Sequence, residues 1–237
     1  MRTTKVSTRA PARVKAAAVS YSQLVSQANI VALPGGCAGG SEPEGSAKLT
    51  VTFLRGGRVR EEIEKLLHAR DGLMLGICDG FQALIKLGLV PFGEYRAFTP
   101  DSPTLSYNLI GRHQSKMVRT RIASNKSPWL AGKQVGDIYL TPAAHGEGRF
   151  IASEGLVREL AANGQVATQY VDGQGNPTMD IAHNPGGSFY AIEGLTSPDG
   201  RVLGKMTHNE RWGQNLYRNL PPHEMLDIFK CAVEYFR

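Results

Sequence analysis

The stretch that most constrains this chain is "LMLGICDGFQALIKLGLVP", residues 73 to 91. An uninterrupted apolar run passes through Gly76, Cys78 and Gly80 into a pattern with helical spacing. A continuous apolar run bounded by turn signals suits a strand buried on both faces. The immediate switch to helical spacing demands a sharp corner, and the small residues two before and two after Cys78 make room for one. That is the spacing of a nucleophile elbow, with sulfur in place of a serine hydroxyl. A buried cysteine at a tight β–α junction satisfies the same five residues equally well.

The surrounding pattern sets the fold class. "NIVALPGG" reads as a short buried strand closed by a Gly turn, and "CAGGSEPEGSA" as a loop. "RVREEIEKLLHARDG" places Val59, Ile63, Leu66 and Leu67 on one helical face and stops near Gly72. The strand "LMLGIC" and the helix "GFQALIKLG" follow, with Gly88 at the C-cap. Further on, "DIYLTPAAHGEGRF" reads as a strand entering a Gly-punctuated loop, "GLVRELAANG" as a helix and "QVATQYVD" as a strand. "SFYAIEGLTSPDGRVLGKMTH" reads as a hairpin around Pro198-Asp199-Gly200. In "HEMLDIFKCAVEYF", Leu226, Phe229, Val233 and Phe236 suggest the docking face of a final helix, with Cys231 as a packing residue. The expectation is an α/β fold: a doubly wound, mostly parallel sheet with flanking helices and an antiparallel hairpin extension.

Charge narrows the function. The net charge is +6, yet five of the 27 basic residues (Arg2, Lys5, Arg9, Arg13 and Lys15) precede the first acid, Glu42. The rest of the chain carries 22 basic against 21 acidic residues. A nearly neutral body with a basic leader lacks the clustered basic face of a nucleic-acid-binding fold. The leader has transit-peptide composition, but a solvated or wrongly joined terminus fits it too. Residues 1–28 are read as a basic, atypical N-terminal segment and 29–237 as one domain. No apolar run reaches the roughly 20 residues needed to span a bilayer, so no membrane partner is expected. Cys37, Cys78 and Cys231 are widely spaced and unpaired in pattern, which suits the reducing cytoplasm and argues against a disulfide framework or metal site.

A nucleophilic cysteine needs a base, and the base needs an orienting group. "KMTHNER" puts His208 just beyond a strand, with Glu210 two residues on and on the same side of an extended segment. A carboxylate there would fix the ring tautomer, although histidines beside acids at strand ends are common. "GSEPEGSAK" is not a phosphate loop, because its lysine is misplaced and it carries two glutamates.

Taken together, "LPGGCAGG", "LMLGICDGFQALIKLGLVP", "HGEGRF", "NPGGSFYAIEG" and "SPDGRVLGKMTHNER" resemble the glutaminase domain of the phosphoribosylformylglycinamidine synthases. More broadly they resemble the class I (triad) glutamine amidotransferases, from about Asn29 to the C-terminus. The resemblance implies that Cys78 attacks the side-chain amide of glutamine, that His208 shuttles protons and that Glu210 orients it. Gly35, Gly36 and the backbone N–H of Asp79 would form the oxyanion hole, and Gln82 would line the glutamine pocket. His145 and Glu147 would lie in a loop near the site, in either a direct or a structural role; His113 reads as a surface residue. Ammonia would pass to a phosphoribosylformylglycinamidine synthetase domain or subunit in purine biosynthesis. ATP and Mg are expected only in that partner, with no cofactor or metal in this chain.

Two departures bear on the resemblance. The family usually has Asn where this chain has Asp79, and a carboxylate beside the sulfur would disfavour the thiolate. The family also opens with a strand, a turn and a helix that the leader does not match, so the first strand is expected to be missing and "VKAAAVSY" is read as a remnant of the second. A truncated or atypical product dependent on a partner is therefore expected. A non-catalytic protein of the same fold and a γ-glutamyl peptidase are the alternatives.

Overall fold

The computed structural model describes residues 11–36, 47–211, 213, 216–217, 220 and 224–237. All but Ala47 of the loop expected at "CAGGSEPEGSA", and the first ten residues of the basic leader, lie outside them.

Seven strands form the main sheet, in the order β1-β2-β9-β8-β7-β4-β5. They are β1 (Ile30–Leu33), β2 (Leu73–Ile77), β4 (Gln114–Ile122), β5 (Ile138–His145), β7 (Val166–Val171), β8 (Ile192–Thr196) and β9 (Val202–Lys205). A separate ribbon pairs β3 (Thr104–Tyr107) with β6 (Glu147–Ile151). The helices are α1 (Pro11–Gln27), α2 (Lys48–Leu54), α3 (Gly57–His68), α4 (Asp79–Leu87), the single turn α5 (Leu89–Phe92), α6 (Glu154–Ala162) and α7 (Ile228–Glu234).

The fold is α/β, and its sheet is mixed. β1, β2 and β9 run parallel, while every pairing from β9 across to β5 is antiparallel. The antiparallel part therefore extends well beyond the one hairpin expected. Within it only β8 and β9 are joined by a short turn, residues 197–201; an antiparallel pair of that kind needs no crossover helix. In the parallel part β2 is buried at all five residues and touched by both α3 and α4. Helical cover on such a strand explains why it carries no polar residue.

α3 buries Val59, Ile63, Leu66 and Leu67, the face its spacing predicts. Each such side chain contributes about 1.5–3 kcal/mol of burial. Residues 14–21, expected as a strand remnant, instead lie within α1, which packs on α3. Ala16, Ala17 and Ala18 favour a helix, and Arg70 fastens its end by donating from Nη1 to Val25 O at 3.0 Å. The final helix also differs from expectation. Asp227 caps it, accepting the Lys230 N–H at 3.0 Å. That start turns Ile228, Cys231 and Ala232 inward and leaves Phe229 and Val233 exposed. Cys231 packs as expected, with its sulfur 3.2 Å from Ala131 O.

"HGEGRF" is not a loop. Glu147–Ile151 pairs with β3 through a register shift that passes over Gly148, where a Cβ would fall 2.3 Å from the His145 ring. The glycine clears space for a histidine; it does not break the strand.

Gly80 is a second such position, since a Cβ there would stand 2.2 Å from the Leu33 carbonyl oxygen. Gly80→Ala is expected to lower stability by roughly 1–3 kcal/mol, because backbone must move to admit the methyl. Gly57→Ala meets nothing within 4 Å and serves as the neutral comparison. Thermal melting of both variants distinguishes a packing cost from a general effect of removing glycine.

Candidate active site

β2 ends at Ile77 and α4 begins at Asp79, so the reversal falls on one residue. Cys78 takes φ 53° and ψ −108°, which L-residues rarely adopt. The turn is possible because its neighbours lack side chains. A Cβ on Gly76 would lie 2.6 Å from the Gly80 carbonyl carbon. The Cys78 N–H donates to Lys205 O at 2.8 Å, which ties the corner to β9. The side chain is buried, with Sγ 3.7 Å from Ala144 O.

His208 follows the end of β9 by three residues. Its N–H donates to Pro142 O at 2.8 Å, and its ring is fully buried. Nδ1 lies 2.6 Å from Glu210 Oε1. An ionised carboxylate can only accept, so Nδ1 carries the proton and the Nε2 lone pair is left basic. Nε2 has no hydrogen-bond partner among the described residues. Burial pushes the Glu210 carboxyl up, but the His208 hydrogen bond and charge outweigh it and hold it below its ordinary range.

Gly35 brings the two side chains into one place. A Cβ on it would fall 2.6 Å from His208 Cε1 and 2.9 Å from Cys78 Cβ. Cys78 Cβ and the His208 ring therefore both close on Gly35, with no room for a methyl group there. Gly36, at φ 149°, is exposed just beyond.

The other residues singled out in the sequence fall around this point. The Asp79 carboxylate accepts the Ala47 N–H at 3.0 Å. Burial raises its pKa, partly opposed by that bond and by Lys86. Gln82 is buried in α4 and donates from Nε2 to the Glu147 carbonyl, joining the helix to the β3–β6 ribbon. Glu147 is itself buried. His145 is held by Asn108, whose Oδ1 is 2.9 Å from the ring Nδ1 and whose Nδ2 donates to His145 O at 2.7 Å. Burial, then the nearby His208 and His113, push the His145 pKa down to about 4. His113 is exposed. Among the described residues no cluster of three or more His, Cys, Asp or Glu side chains could hold a metal ion. Nor is any helix among them long and apolar enough to cross a membrane.

Asn108 was not singled out from the sequence, and neither was the fully buried pair Glu193 and Lys205 behind His208. Asn108 has no sequence signature of its own. The pair has one: opposite charges inside two otherwise apolar strands joined by a tight turn.

Comparison with known proteins places the chain in a family. Residues 6–236 match the family described as the CobB/CobQ-like glutamine amidotransferase domain, and the chain belongs to that family. A phosphoribosylformylglycinamidine synthase subunit PurQ from Methanococcus maripaludis is 32% identical over 230 residues, covering 87% of this chain and 80% of that protein. The subunit of the same name from Synechocystis is 36% identical over 152 residues, covering 64% of this chain and 62% of that protein. The fold is also that of a chain in the structure of PurLQS from Thermotoga maritima, with a TM-score of 0.65 at 24% identity, covering 88% of this chain and 80% of that one.

Two outcomes follow from the geometry. Gly35→Ala is expected to part Cys78 from His208 and to cut kcat for any reaction that needs both by roughly 100-fold. The fold should persist, so the melting temperature measured beside the rate separates misplacement from unfolding. For His145, the unfolded chain binds a proton below about pH 6.5 but the folded chain only near pH 4. Stability therefore falls as pH drops from 6.5 towards 4, by up to about 3 kcal/mol. The carboxylates whose pKa is lowered on folding, Asp172, Glu193, Asp199 and Glu210, lose their contribution only below about 4.5. Melting against pH should show a decline beginning near 6.5 in the wild type and a flatter one in His145→Gln.

Proposed function

We propose that this chain hydrolyses glutamine to glutamate and ammonia and supplies the ammonia to a phosphoribosylformylglycinamidine synthetase partner in purine biosynthesis. The observation that carries the reading is the meeting of Cys78, at a strained strand-to-helix corner, with His208, whose outer nitrogen is left basic by Glu210. The family's description supports glutamine as the substrate, and the relatives' names, subunits of phosphoribosylformylglycinamidine synthase, support the partner.

Each step assigns one task to one group. His208 Nε2 takes the thiol proton as Cys78 Sγ bonds to the side-chain amide carbon of glutamine. Negative charge gathers on the amide oxygen, and backbone N–H groups at Gly35, Gly36 and Asp79 are its proposed donors. The N-terminal end of α4 adds a favourable field. The C–N bond breaks as His208 returns the proton to the leaving nitrogen, giving ammonia and a γ-glutamyl thioester. Water then attacks the thioester carbon, His208 takes its proton, and the C–S bond breaks to release glutamate and restore the thiol. Glu210 stabilises the imidazolium in both halves without accepting its proton.

Gln82 and Glu147 are assigned to the wall of the glutamine pocket, and His145 to its support through Asn108. In this reading the Ala47 N–H, which Asp79 accepts, offsets part of the repulsion its carboxylate exerts on the thiolate. The domain is taken as residues 29–237. No cofactor is assigned to this chain; ATP and Mg belong to the synthetase. Cys78 and Cys231 are both free thiols, which fits a cytoplasmic setting.

Glutamate release measured with the synthetase present tests the reading. Cys78→Ser should lose activity by roughly 1,000-fold or more, and Glu210→Gln by roughly 100- to 10,000-fold, both with melting temperatures near that of the wild type. Equal turnover by Cys78→Ser and wild type would remove the sulfur from the mechanism. A wild type that yields no glutamate with its partner would remove the activity.

A further inference from the structure

Behind the site lies a group of buried charges that the mechanism does not use. Glu193 and Lys205 sit on the facing strands β8 and β9, both with fully buried side chains. Lys205 Nζ is 3.0 Å from Glu193 Oε2 and 3.2 Å from Oε1. Thr168 Oγ1 donates to Oε2 at 2.5 Å. Thr207 donates twice to Oε1, from its backbone N–H and from its hydroxyl, each at 2.7 Å. The Thr207 hydroxyl in turn accepts from Lys205 Nζ at 2.7 Å. Every charge is matched, yet stability alone does not account for the pair, because well-packed apolar residues in place of a buried ion pair are often as stable or more so.

What the cluster grips is informative. Thr207 is the residue immediately before His208, and it lies beyond the last residue of β9, where the sheet ladder no longer fixes the chain. Between there and Glu210 the backbone is held by Met206 N–H to Glu193 O at 3.1 Å and His208 N–H to Pro142 O at 2.8 Å. The carboxylate of Glu193 supplies two further bonds at the one residue between those anchors. A side-chain acceptor thus stands in for the missing strand partner, one peptide unit from the imidazole.

We infer that Glu193 is a positioning residue: its side-chain oxygen sets the His208 ring against Cys78 by fixing Thr207. The inference rests on the glutaminase reading for its kinetic consequence, but its geometric content can be measured without turnover.

The test compares three variants by glutamate release with the synthetase, by melting, and by the NMR resonance of the His208 Nδ1 proton, assigned from its loss in His208→Ala. Glu193→Leu with Lys205→Met keeps the charge balance but removes the acceptor. It should lower kcat by about 100-fold, leave KM for glutamine within about threefold, and shift or broaden the Nδ1 proton. Glu193→Gln with Lys205→Met keeps an oxygen for the Thr207 N–H and should recover most of the lost kcat together with the wild-type resonance. If the leucine variant fails to fold, Thr207→Val removes only the hydroxyl bonds and should give a smaller kcat loss, about tenfold, with the same split between kcat and KM. A purely structural cluster would move melting in all three and leave the Nδ1 resonance of the folded protein unchanged; that result overturns the inference. An inactive wild type would instead remove the glutaminase reading, and the resonance comparison would still decide whether Glu193 positions His208.

Discussion

The site depends on a single backbone reversal. A parallel strand delivers residue 78 to the rim of the sheet, and the next residue must already be helical, which forces Cys78 to a positive φ. Such a conformation is unfavourable in isolation and persists only where its surroundings overdetermine it. Here β9 takes its N–H, β1 crowds Gly80, and Gly76 and Gly80 leave room for one another. Strain at the corner is therefore inseparable from the register of three strands, and the sulfur inherits their rigidity.

The imidazole arrives by a different route. Where the cysteine belongs to the parallel part of the sheet, the histidine rides the end of a hairpin in the antiparallel part. β9 belongs to both, pairing with β2 on one side and β8 on the other. This shared strand lets two residues 130 positions apart keep a fixed separation. Beyond its end, side-chain bonds from Glu193 and the pairing with Glu210 replace the sheet ladder.

Much of this was legible in the residues because it rests on local patterns. The α3 face follows from helical spacing, the β8–β9 hairpin from Pro198-Asp199-Gly200, and the corner from two small residues flanking Cys78. What was not legible depends on partners far away in sequence. "HGEGRF" looks like a loop until β3 is known to pair with it, and Gly148 looks like a breaker until the His145 ring is seen to need the space. The phase of α7 turned on Asp227, a cap that apolar periodicity does not count. Residues 14–21 read as a strand remnant only against the family's opening, whereas three alanines and the neighbouring α3 settle them as helix. Glu193 and Lys205 were visible as letters; only their approach across the β8–β9 hairpin made them a unit.

The contact at Gly35 has an evolutionary corollary. It is made by atoms that are not there, so it offers no polarity, charge or bond for selection to retune. Drift at that position can be filtered only by bulk, and no compensating change elsewhere can restore the gap while the sulfur and the ring keep their places. Around Glu193 the opposite freedom holds: a lineage could exchange the whole cluster for another set of donors and acceptors, provided the same peptide stays anchored.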